Sequence, residues 1–370
     1  MEKIPLLNQQ NKTSRNPNID FIRILAMFSI VVDHIIFHGK VMIKYSIFNE
    51  IKLLYILCMW HVSCFGIISG LVGNKSNKFS NLLYLWILVT FYSLLLFFKY
   101  NKFSSFKYYS ILISNIFPVI NNKYWYFTAY FGMYPFLPFI NSSISTLSII
   151  QIKKCIYFML LIFIIYASFN HDIFSQNKGK SPFSLLIFYI FGKYIDKYSF
   201  HKKNKKIYRF LICIICTFIF LFISWITFII NTKNSLNQLN SFINSIFKIE
   251  INSFPMILQS VALTIFIAQI QFNNYISRFI TFIGPLTFDI YLIHENTYIR
   301  RSYIKNTFNQ YSLNLNISLI FLLIFKKALL IFNVSIILAY LRNFLFRICK
   351  IKKICSIFET TTERIINYLF

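Results

Sequence analysis

The stretch "NPNIDFIRILAMFSIVVDHIIFHGK", residues 16–40, decides how the rest of the chain is read. It is apolar enough to enter a bilayer, yet it carries Asp20, Arg23, Asp33, His34 and His38. Ionisable groups within a membrane segment are costly, and they turn toward the bundle interior or a water-filled cavity. As a helix, this stretch sets Arg23 and His34 on one face, three turns and ~16 Å apart. Asp20 lies one turn before Arg23 and His38 one turn after His34, with Met27 and Ile30 between the two polar ends. Asp33 points about 100° away from His34 and reads as an interfacial carboxylate.

The surrounding chain has the composition of a membrane protein. Apolar residues make up 57% of the 370 and charged residues 13%, against about 25% charged in a soluble domain. Mean hydropathy is +0.59. At ~20 apolar residues per crossing, the pattern predicts an all-α, polytopic transmembrane bundle of about ten helices. They fall at roughly 19–37, 53–72, 81–98, 124–141, 155–170, 183–198, 207–230, 251–270, 279–298 and 328–346. Segments 108–120 and 311–325 are apolar but short or interrupted, and read as interfacial or re-entrant pieces.

Residues 1–18 read as a cytoplasmic N-terminal segment, 19–346 as one transmembrane domain and 347–370 as a short basic cytoplasmic tail. An even number of crossings puts both termini on one side. Lys153 with Lys154, "HKKNKK" at 201–206 and "RICKIKK" at 347–353 make that side cytoplasmic by the positive-inside rule. Arg300, Arg301, Lys326 and Lys327 run against the bias. The N-terminus has no signal-peptide profile, so the first apolar run is expected to be retained as a helix.

Several function classes drop out. The net charge of +27 is scattered over short loops, without the folded basic surface that nucleic acid requires; the excess suits anionic lipid headgroups instead. The seven cysteines lie in or beside apolar segments and form no disulfide framework. Cys213 and Cys216 make a CxxC on an apolar helix, which reads as packing. His, Cys and carboxylates do not cluster at ligand spacing along the chain, so no metal is expected.

Four stretches, in order, resemble the acyltransferase 3 family. "DFIRILAMFSIVVDH" is similar to its first helix, in which an Arg is followed after ten residues by a His, here Arg23 and His34. "VSCFGIISGLV" at 62–72 resembles the second helix, which ends in a Ser-Gly pair, here Ser69 and Gly70. "YWYFTAYFGMYPFLPFIN" at 124–141 resembles the Trp-bearing helix, with Trp125, Tyr130 and Pro138 in place. "FIGPLTFDIYLIHENTYIR" at 282–300 resembles the late helix ending in Tyr-Leu-x-His, here Tyr291 and His294. The chain departs from the pattern at Ser63, where relatives have proline, and beyond Gly70, where an Arg-rich start to the third helix is replaced by Lys75 and Lys78.

The resemblance implies an integral membrane O-acyltransferase that moves acetyl from acetyl-CoA to a hydroxyl of a surface polysaccharide or its lipid-linked precursor. It is closest to the short, unfused type found with Gram-positive capsule and exopolysaccharide genes. It further implies a bacterial plasma-membrane location, membrane lipids as surroundings, polysaccharide assembly proteins as partners, and no permanently bound cofactor. His34 takes the catalytic position, as a base for the alcohol, and His294 or Tyr291 supplies a donor for the oxyanion. Arg23 faces the anionic part of CoA, and Trp125 stacks on a sugar.

Each residue also has a plainer reading: His34 as a helix-packing group, Arg23 as the partner of Asp20, Trp125 as a belt aromatic, His61 as a core polar group. A transporter or flippase for lipid-linked glycans also explains intramembrane His, Arg and Asp. It would show Gly- or Pro-broken helices in matching halves, and no half-repeat is visible in a chain with eight Gly and eight Pro.

The threading places the loop at 39–50 outside and that at 201–206 inside. In intact cells, an impermeant thiol reagent should label Asn49→Cys and spare Lys203→Cys. The reverse pattern would invert the topology.

Overall fold

The computed structural model describes residues 15–73, 78–100, 107–166, 174–197, most of 214–229, and 249–369. The 201–206 loop and the Cys213/Cys216 pair lie outside the described residues. Among those described there is no strand. The principal helices are α1 (Pro17–His38), α2 (Asn49–Val72, stepped at Met59 and Trp60), α3 (Phe79–Tyr100), α4 (125–146) and α5 (Ile149–Tyr166). They continue as α6 (Pro182–Lys197), α7 (Phe254–Ala268), α8 (Asn274–His294), α9 (Ile317–Ile348) and α10 (Ile351–Leu369). Five of these, α2, α3, α5, α8 and α9, are long and apolar enough to cross a membrane. With α1, α4, α6, α7 and the helical residues of 214–229, they stand where the sequence placed its spans.

The boundaries move for local reasons. Helix α5 starts at Ile149 rather than near 155 because Ser148 and Gln151 close a reciprocal cap at its first turn. Helix α4 runs past Pro138 because Pro135 and Pro138 each sit in the first turn of a new helical piece, where no backbone N–H is needed. Helix α9 starts at Ile317, where the Asn316 side chain accepts from the Leu319 N–H at 3.0 Å. Residues 317–325 are therefore its first turns and not a separate re-entrant piece. At 32 residues it measures ~48 Å, longer than the ~30 Å hydrocarbon core, so Lys326 and Lys327 have room to lie beyond it. The other ambiguous segment forms a ten-residue helix, Lys107–Ile116, too short to cross. Within the segment read as a basic tail, α10 is helical and packs along α3.

Helix α1 is the hub. It packs against α2, α7, α8 and α9, and Ile22, Ala26, Val31, Val32, Ile35 and Ile36 are fully buried along it. Its start is fixed by the Asn16 side chain, which accepts from the Asn18 N–H at 2.9 Å, and by Pro17 in the first turn. Helices α5 and α9 lie outermost and expose Ile150, Phe158, Leu161, Leu322, Leu330 and Ile337, the apolar faces that lipid requires.

Where helices meet inside the bundle, small residues let backbones touch. A Cβ on Gly192 of α6 would stand 2.9 Å from the Gly70 Cα of α2, and one on Gly70 would stand 2.9 Å from the Gly192 Cα. This contact is the physical content of the Ser-Gly pair that ends the second span. Gly192→Leu should separate α2 from α6 and cost at least the ~1–3 kcal/mol typical of overpacking. A clear fall in the thermal unfolding midpoint in detergent is the expected result; an unchanged midpoint would contradict the crossing.

Candidate active site

A cavity of about 460 Å³ follows the polar stripe of α1 from Arg23, past Met27 and Ile30, to His34 and His38. Helix α2 adds Tyr55, His61 and Phe65 to its wall, α4 adds Trp125, Tyr126 and Tyr130, and α8 adds Phe288 and Tyr291. Its lining is thus aromatic with a few converging polar groups, the usual make-up of a small-molecule site.

At the Arg23 end, the fully buried Asp20 accepts from Arg23 Nη1 at 2.9 Å and also pairs with Arg15. Asp20 can sit there because the facing residue of α8 is Gly284: a Cβ on it would collide with the Asp20 side chain. The Gly-Pro step of α8 is therefore a seat for the first turns of α1. A second cavity of about 760 Å³ opens beyond, with Arg15, Arg342 and Lys352 on its wall. Arg23, Leu85, Thr287 and Phe288 line both cavities, so the Arg23 guanidinium stands at their junction.

At the other end, His34 lies among three ionisable neighbours. Its ring centroid is 5.2 Å from that of His294 and 5.3 Å from that of His38. His34 Nδ1 is 3.1 Å from Glu295 Oε2, close enough for a charge contact but off the line of a hydrogen bond. Arg300 Nη1 holds the other oxygen of Glu295 at 2.5 Å. His294 Nδ1 lies 2.6 Å from the Ile290 carbonyl. A carbonyl only accepts, so that nitrogen carries a proton, and neutral His294 keeps a lone pair on Nε2. His34 Nδ1, His294 Nε2 and Glu295 Oε2 are buried without hydrogen-bond partners.

The sequence expectation that such groups do not cluster is corrected here in three dimensions. His34, His294 and Glu295 bring ligand atoms to within 4.8 Å of one another, although they come from opposite ends of the chain. Two imidazoles and a carboxylate are a donor set that zinc accepts. Arg300, paired to Glu295, already supplies a positive charge and works against a second cation there.

Of the residues singled out from sequence, Arg23, His34, Trp125 and Tyr291 line the one cavity. His294 is fully buried and stands behind His34, off the cavity wall. The Tyr291 hydroxyl accepts from the Tyr126 N–H at 3.3 Å, which leaves its own proton available to donate. Trp125 sits under Lys180, whose Nζ is 5.6 Å from its ring. The Arg23–Asp20 pair and the cavity position of Arg23 hold together, so its two readings are not exclusive.

Sequence reasoning missed three features. Glu295 lies next to the motif His294, and the adjacent acid with Arg300 five residues on was its one signal. Asp33, read as interfacial, is buried, with Oδ2 3.4 Å from His61 Nε2, and both residues line the cavity. Asp289 and Arg342 form a buried ion pair at 2.5 and 2.7 Å, with the Tyr92 hydroxyl donating to Asp289 Oδ1 at 2.8 Å. This pair ties α8 to α9 and carries no sequence signal, because the residues are 53 apart on different helices.

Compared with known proteins, residues 16–340 match the family model of acyltransferase 3, described as an acyltransferase domain. No curated protein and no solved structure matches the chain.

Proposed function

We propose that this chain, which belongs to the acyltransferase 3 family and is an integral membrane acyltransferase, moves an acetyl group from acetyl-CoA to a hydroxyl of a surface polysaccharide or its lipid-linked precursor in a bacterial plasma membrane. The observation that carries this reading is one cavity with a permanent cation, Arg23, at one end and the His34–Glu295 contact at the other. A donor with an anionic head and a long arm ending in a thioester suits a site of that length. The second cavity, with its Arg and Lys residues, leaves room for the nucleotide end.

An alcohol is a poor nucleophile at neutral pH, so a base must take its proton as it attacks. Glu295 beside Nδ1 keeps a proton on that nitrogen and leaves the Nε2 lone pair of His34 for the acceptor hydroxyl. The hydroxyl oxygen attacks the thioester carbonyl, the C–O bond forms and the proton passes to His34. Collapse breaks the C–S bond, and the CoA thiolate leaves with the proton that His34 returns. Glu295, held by Arg300, balances the imidazolium between the two steps. Tyr291 is the better placed oxyanion donor, since neutral His294 offers only a lone pair. His294 orients His34, and Trp125 with Tyr126 presents aromatic faces to the sugar.

Two results test this. NMR of the surface polysaccharide from cells with and without the gene should show an O-acetyl signal that disappears with the gene; an unchanged spectrum would count against the acceptor assignment. For the donor, Arg23→Ala should weaken acetyl-CoA binding about tenfold or more, and Arg23→Lys should recover part of it, since charge survives without the planar fork. Unchanged acetyl-CoA affinity with a lowered thermal midpoint would return Arg23 to its pairing with Asp20 alone.

A further inference from the structure

Asp33 and His61 are buried polar groups on the cavity wall that the acyl-transfer steps leave unused. Asp33 is 9% exposed and His61 3%. Their nearest approach, Asp33 Oδ2 to His61 Nε2, is 3.4 Å, and its geometry is not that of a hydrogen bond. Asp33 Oδ1 and both ring nitrogens of His61 are buried without hydrogen-bond partners. Three such atoms in one place are unusual, since buried polar groups in folded proteins nearly always find a partner, and leaving one unmade is expensive. All belong to residues that line the cavity. A group seated in that cavity is in position to complete them.

The chemistry of the pair narrows that group. An ionised carboxylate accepts only, and it repels anions. Imidazole beside it both donates and accepts. Together they suit a neutral ligand with two neighbouring hydroxyls, one donating to Asp33 Oδ1 and the other exchanging a hydrogen bond with His61. The same cavity is lined by Tyr55, Phe65, Trp125 and Tyr126, flat apolar faces of the kind against which the C–H face of a pyranose packs. Asp33 precedes His34 directly, so their Cα atoms are ~3.8 Å apart. Their side chains diverge by about 100° around the helix, yet both line this cavity, so a ring held by Asp33 shares the space into which His34 opens.

We infer that Asp33 and His61 form the acceptor-recognition subsite, holding neighbouring hydroxyls of a neutral pyranose and so choosing which hydroxyl meets His34. This rests on the acyl-transfer reading for its purpose, but it makes a separate claim about sugar binding. Asp33 and His61 would be specificity residues that touch the acceptor and leave the donor alone.

Saturation-transfer NMR on the full-length protein in detergent tests it, with methyl β-D-glucopyranoside and methyl N-acetyl-β-D-glucosaminide as probes. The wild type should transfer saturation to the ring protons of at least one probe. Asp33→Asn and His61→Gln, close in shape to the native residues, should each reduce that transfer at least fivefold, while acetyl-CoA affinity stays within twofold. If the variants fail to fold, wild-type protein with mono-deoxy probes decides the matter: removing one of two adjacent hydroxyls should abolish the signal.

The inference is overturned by no transfer from the wild type, by folded variants that bind the sugar normally, or by deoxy probes that bind as well as their parents. Equal or tighter binding of the corresponding glucuronide would also overturn it, since an anion should be repelled by Asp33. Failure of the wild type to bind acetyl-CoA would instead strike the acyl-transfer reading, whatever the sugars do.

Discussion

Everything in this molecule is arranged around the cost of holding one ionisable stripe inside an apolar solvent. Each Arg or Asp at the centre of a membrane helix costs about 2.5–3.5 kcal/mol on an insertion scale, and α1 carries Asp20, Arg23, Asp33, His34 and His38. The bundle meets that cost by making α1 its hub, with α2, α7, α8 and α9 packed around it. Asp20 is neutralised between Arg15 and Arg23, Glu295 is neutralised by Arg300, and Asp289 by Arg342. What remains open is the strip from Arg23 to His34, and that strip is the cavity.

The helix breaks serve the same end. Gly284 and Pro285 split α8, so that Asp20 can press against its backbone while its last turns bring Tyr291, His294 and Glu295 up to His34. Pro135 and Pro138 divide α4 into successive helical pieces after Trp125, Tyr126 and Tyr130. The Gly70–Gly192 contact lets α6 lie close against α2, which presents His61 and Phe65 to the cavity. These residues sit where ordinary packing rules are relaxed, and each relaxation moves a side chain of the site into place.

The parts that one helix encodes were legible in the sequence. Periodicity alone put Arg23 and His34 on one face, and apolar run lengths located helices α1 and α8. Pairings between helices were not legible. Asp33 looked interfacial because its neighbour His61 lies in another helix, and a 100° offset from His34 says nothing about what stands on that side. Glu295 was passed over because its meaning depends on meeting His34 across the bundle. His294 stands beside His34 but is fully buried, and motif position does not distinguish a group that lines a cavity from one that stands behind it. Segments 311–325 and 328–346 read as separate, where a helix longer than the bilayer simply continues through Lys326 and Lys327.

The central claim is that His34 is the base at the Glu295 end of this cavity, and its most direct test is acyl transfer by His34→Gln. A general base contributes about 10²–10⁴-fold to rate, so a well-folded His34→Gln protein should lose detectable transfer while still binding acetyl-CoA. His38→Ala, one turn further along the same helix, should lose far less. Transfer by folded His34→Gln within a few-fold of the wild type would contradict the account.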